Sequence, residues 1–136
     1  MAKKKEIRNS TAEFLTFVAE GKEQGVQVLY KDETVWATQK AMATLFDCST
    51  DNISLHLKNI FKSGELQEDS VTEKNSATAS DGKTYQTKFY NLDAIISVGY
   101  RVNSLRATQF RQWCTYVIRQ FSLRSYIIDK KRMEKC

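Results

Sequence analysis

The chain has 136 residues, 41% of them apolar and 27% charged, with a formal net charge of +5 at pH 7 and no proline. That length suits one compact domain, and the composition excludes a disordered tail, a collagen and a low-complexity linker. No apolar run approaches the ~20 residues that cross a bilayer, so the sequence predicts a cytoplasmic protein with no membrane partner. Cys48, Cys114 and Cys136 agree with this, because an odd, widely spaced set is neither a disulfide framework nor a zinc motif. The charge is uneven: residues 1–35 are neutral overall, 36–63 carry +1, 64–100 carry −3 and 101–136 carry +7. A polyanion contact is therefore expected to lean on the C-terminal end.

Glu6 to Glu23 reads as an amphipathic helix with Phe14, Leu15, Phe17 and Val18 as its buried set. Ser10 or Thr11 is its expected N-cap, Glu13 completes a capping box with Ser10, and Gly21 and Gly25 close the segment. Val26 to Tyr30 and Thr34 to Ala37 read as strands around the polar turn Lys31-Asp32-Glu33. Thr38 to Phe46 reads as a helix with Met42, Leu45 and Phe46 on one face. After the break Asp47-Cys48-Ser49, a second helix from Thr50 to Ser63, capped by Ser49 or Thr50, sets Ile53, Leu57, Ile60 and Phe61 at i, i+4, i+7 and i+8. Gly64 suits the position just past its end.

Glu65 to Ser70 reads as an acidic loop. Val71 to Ser80 and Lys83 to Asn91 read as strands of a second hairpin, and Asp81-Gly82 predicts a type I′ turn with positive φ at both residues. Tyr85, Thr87 and Phe89 fall on one face of its second strand. Leu92 to Val102 reads as a helix, Asn103-Ser104 as a polar break, and Leu105 to Tyr126 as a longer helix. The last carries a stripe of Phe110, Trp113, Cys114, Val117 and Phe121, expected to be core or a homodimer interface.

Two helices joined by a three-residue corner make a helix-turn-helix. Ala43 supplies the small residue where they approach, and Ile53, supported by Leu57, anchors the second helix. Its opposite face holds Asp51, Asn52, Leu55, Lys58, Asn59 and Lys62. Asn52 and Asn59 can pair with adenine edges, and Lys58 and Lys62 can meet guanine or phosphate. Thr50 and Ser54 lie at the flanks, Gln39 begins the first helix where a phosphate contact is expected, and Leu55 can touch thymine methyls or a partner protein. The hairpin that follows stands where a wing would, with Lys83 as its phosphate contact, although Asp81 at the tip is unfavourable against DNA. The expected fold is α+β: a winged helix-turn-helix core over residues 26–91, an N-terminal helix within 1–25 and a C-terminal helical extension over 92–136, in one compact unit.

His56 is the only histidine, no acid pair is evident and no glycine-rich phosphate loop occurs. Neither a metal, a cofactor nor an enzymatic activity is expected. Arg101, Arg106, Arg111, Arg119, Arg124, Lys130, Lys131 and Arg132 spread around the last helix, as a solvated face or as a surface that tracks phosphates or flanks a dimer.

Glu33 to Lys40, Asn52 to Phe61, Asp81 to Tyr85 and, most specifically, Tyr90 to Ser104 resemble the bacterial RhuM family of virulence-associated proteins, over about residues 26–128. The resemblance implies a link to mobile or horizontally acquired DNA and offers no catalytic residues. Family members often carry a basic residue where Leu55 stands, and longer members continue well past this chain's last residue. Ala107 to Trp113 with Val117-Ile118 also resembles the end of phage antirepressor domains. Two functions follow as expectations: binding of double-stranded DNA as a transcriptional regulator, or an antirepressor-like module that binds a repressor protein.

Overall fold

The computed structural model describes residues 14–18 and 26–134, with side chains through Gln120 apart from Ala77. Residues 14–18 are helical (α1). Then come β1 (Leu29–Lys31), β2 (Thr34–Ala37), α2 (Gln39–Phe46), α3 (Thr50–Lys62), α4 (Glu68–Val71), β3 (Thr72–Thr78), β4 (Thr84–Asn91), α5 (Leu92–Gly99) and α6 (Leu105–Glu134). The protein is mixed α+β, and the four strands among the described residues form one antiparallel sheet in the order β1-β2-β4-β3. The two hairpins read from the sequence are thus one sheet, joined where Trp36 faces Asn91 and Ala37 faces Tyr90.

The turns differ from expectation in an instructive way. The type I′ geometry occurs in the first hairpin, where Asp32 and Glu33 take φ of 54° and 63° and Lys31 pairs with Thr34. In the second hairpin only Gly82 has positive φ, +84°. The Ala79 N–H donates to Lys83 O (2.8 Å) and the Gly82 N–H to Ala79 O (3.0 Å), which closes a three-residue loop over Ser80, Asp81 and Gly82. Asp81 is held out of the left-handed region by its own carboxylate, which accepts the Lys83 N–H (2.9 Å) and the Tyr85 hydroxyl (2.8 Å).

Local capping accounts for the helix ends. Thr38 Oγ1 accepts the Ala41 N–H (3.0 Å), Ser49 Oγ the Asn52 N–H (3.0 Å) and Asn91 Oδ1 the Ala94 N–H (3.2 Å). After α3, Gly64 sits at φ +80°, with Glu65 N–H donating to Ile60 O and Gly64 N–H to Phe61 O (3.1 and 3.2 Å), the paired bonds of a Schellman ending. The acidic loop contains the short helix α4. α5 stops at Gly99 rather than running to Val102, and Ser104 is the cap of α6, its Oγ accepting the Ala107 N–H (3.0 Å). α6 has 30 residues and extends past Tyr126 to a length of ~45 Å.

One core draws on β2 and on every helix, with Phe14, Met42, Phe46, Ile53, Ile60, Ile95, Val98 and Phe110 among its fully buried members. Phe110 is its aromatic hub, with ring centroids 5.0 Å from Phe46, 5.4 Å from Phe17 and 6.2 Å from Phe14. On α6 the buried stripe is Ala107, Phe110, Cys114 and Val117, with Trp113 half-buried. Leu15, expected inside, is exposed, and Phe61 is only half-buried. The expected caps Ser10 and Thr11, the closing Gly21 and Gly25, the Phe121 side chain and Cys136 lie outside the described residues.

Candidate nucleic-acid interface

The corner between α2 and α3 is built from main-chain bonds. Asp47 takes the left-handed conformation (φ 55°) usually left to glycine, while the Cys48 N–H donates to Ala43 O (3.0 Å) and the Asp47 N–H to Thr44 O (3.4 Å). Two residues later Ser49 caps α3, so both helix ends are satisfied within three residues. Asp51 stands in the first turn of α3 and Lys62 in the last, each at the pole of the helix dipole that favours its charge.

α3 packs on α2 and α5 through the buried Ile53, Leu57 and Ile60. At 100° per residue, Asp51, Asn52, Lys58, Asn59 and Lys62 lie within about 60° either side of Leu55. All six are exposed, Leu55 to 55%. The predicted residues of this helix thus share one solvent-facing ridge, with exposed Thr50 and half-buried Ser54 at its flank.

The other two predicted contacts belong to different elements. Gln39 is half-buried, and its Nε2 donates to the Tyr90 hydroxyl (2.9 Å), which ties it to β4 rather than to the α3 ridge. Lys83 is exposed beside the tip of the β3–β4 hairpin. The two donors on Asp81 hold its carboxyl below the usual range and raise the Tyr85 phenol, so a full negative charge stands next to Lys83 at neutral pH. His56 is half-buried on α3; burial, and then the Arg101 charge, lower its imidazole, so it adds no positive charge to the ridge at neutral pH.

Sequence reasoning missed the use of three C-terminal arginines. Arg101 pairs with Glu65 (3.0 Å). The Arg106 guanidinium lies 3.8 Å from the Phe17 ring centroid and donates to Phe17 O (3.2 Å). Arg111 Nη1 donates to Gly99 O and Val102 O (both 2.9 Å), and its Nη2 to Thr108 Oγ1 (3.0 Å). Part of the basic surplus in residues 101–136 therefore stitches α5 and α1 to α6. Arg119 remains exposed. Cys48 is half-buried; Cys114 is buried, which pushes its thiol up to about 11.

Among the described residues no group of three or more His, Cys, Asp or Glu side chains could hold a metal ion, and no helix is long and apolar enough to cross a membrane. Residues 70–136 match the family model described as Virulence protein RhuM family. No curated protein and no solved structure matches the chain.

Proposed function

That match supports placing the chain in the RhuM family, and from this premise we propose that the protein binds double-stranded DNA through α3, as a transcriptional regulator linked to mobile or horizontally acquired DNA. In this reading α2 and α3 are a helix-turn-helix, the β3–β4 hairpin is its wing, and the projecting α6 supports a homodimer. The supporting observation is the exposed ridge of Asn52, Lys58, Asn59 and Lys62 on a helix whose other face is anchored in the core. The lysines supply salt-dependent attraction to phosphate, and the asparagines supply base preference.

A second reading rests on Leu55, a large apolar side chain in the middle of that ridge. In that reading the ridge docks on a protein, such as a repressor, with no direct DNA readout. One experiment separates the two: a mobility-shift titration on random duplex at several salt concentrations, followed by selection from a random-site library. DNA binding predicts that Lys58→Ala weakens all sequences alike and lowers the salt slope by about one. Retardation absent at low salt, with a repressor recovered in a pull-down, selects the protein-docking reading.

A further inference from the structure

The sheet has an unfilled position. β4 pairs with β3 from Thr84 opposite Thr78 to Tyr90 opposite Thr72. On its other side β4 meets β2 only at Tyr90 and Asn91, so Thr84 to Phe89, roughly 20 Å of strand, has no strand neighbour there among the described residues. The hydrogen-bonded Ala79–Lys83 closure of the hairpin fixes the alternation of the ladder. Tyr85, Thr87 and Phe89 turn their main-chain groups toward β3. Thr84, Gln86 and Lys88 turn theirs to the open side.

A groove of about 780 Å³ lies between β4 and the first turn of α2, lined among others by Lys40, Ala41, Thr44, Tyr85, Thr87 and Lys88, the last being the outward-turned residue in its lining. No carboxylate lines it. Lys40 is exposed and makes no ion pair among the described residues, and α2 has no acidic residue in its first turn to offset its positive dipole end. We infer that this edge takes an extended, acidic peptide as an added β-strand. Peptide main chain offers the alternating acceptors and donors that Gln86 and Lys88 require, whereas a phosphodiester offers acceptors only and would set anionic oxygens against their carbonyls. The positive wall selects the charge of the incoming side chains. This surface is separate from the α3 ridge, and its failure leaves the DNA reading untouched.

The test is selection of short peptides from a random phage-displayed library on the whole chain, with Gln86→Pro, Lys40→Glu and Ser76→Pro as comparison proteins. Proline at Gln86 or Ser76 deletes an outward N–H and spares the β3–β4 ladder, since these two residues face each other as a non-hydrogen-bonded pair. The expected result is a family of peptides alternating acidic with β-branched or aromatic residues. Gln86→Pro and Lys40→Glu should each bind them roughly tenfold or more weakly, Ser76→Pro should bind them as the parent does, and the Gln86 and Lys88 amides should gain exchange protection on binding. Should Gln86→Pro fail to fold, that protection and Lys40→Glu still decide the matter. No enriched peptide, equal binding by the Gln86 and Lys40 variants, or protection by oligonucleotide instead of peptide overturns the inference.

Discussion

Replacing Arg111 by alanine tests whether the C-terminal charge belongs to the fold or to a ligand. Its guanidinium donates to two carbonyls, Gly99 O and Val102 O, and to Thr108 Oγ1, all at 2.9–3.0 Å. The Gly99 carbonyl lies at the end of α5 and has no partner within that helix, so the cation also sits at the favourable pole of the α5 dipole. Hydrogen bonds from a charged donor contribute about 1.5–3 kcal/mol each. Arg111 is half-buried, and water can replace part of what alanine removes, so the expected loss is about 2–4 kcal/mol. For a chain of this size that lowers Tm by roughly 6–12 °C. Arg111→Lys keeps the charge without the planar fork and should recover roughly half of the loss. Thermal unfolding by circular dichroism measures both variants, beside the salt slope of any DNA binding. A Tm within about 1 °C of the parent together with a smaller salt slope would refute the structural role and return Arg111 to a phosphate footprint.

Gly99→Ala reverses a general rule. Alanine stabilises an exposed helix interior by up to ~1 kcal/mol over glycine, but here a Cβ would meet Phe110 Cδ2 at 2.4 Å, Phe110 Cε2 at 2.5 Å and Phe46 Cζ at 3.1 Å. Phe110 is wedged by Phe14, Phe17 and Phe46 and has little room to yield, so a loss of about 1–3 kcal/mol in urea unfolding is expected; a stabilised variant contradicts the packing described. His56 gives a pH signature. Burial and the Arg101 charge lower its folded value below the ordinary 6.5, so the unfolded chain binds this proton more tightly. Its contribution to stability is therefore complete above 6.5 and is lost as pH falls through 6.5 toward the folded value. An imidazole NMR titration at or above 6.5 would show this environment to be wrong.

The most specific stretch of the family resemblance, Tyr90 to Ser104, has a structural explanation of its own. Asn91 caps α5, Ile95, Val98 and Val102 fill the core, Gly99 admits Phe110, and Ser104 caps α6 while donating to Phe46 O (2.6 Å). These residues hold α5 against α6 behind the candidate interface rather than in it.

By itself the sequence determined what neighbouring residues decide among themselves. Periodicity separated the buried Ile53, Leu57 and Ile60 from the exposed Asn52, Lys58 and Asn59, and Ser49 was legible as a cap of α3, because such a residue acts on backbone three residues away. Only the tertiary structure decided the union of two hairpins through Trp36 and Asn91, the open edge of β4, the partners of Gln39 and the use of the arginines. Arg106 reaches Phe17 across 89 positions, Ser104 reaches Phe46 across 58, and Arg101 reaches Glu65 across 36. Charge and hydrogen-bonding capacity are written in the residue type; which partner uses them depends on chain segments brought together by packing, and no local pattern encodes that.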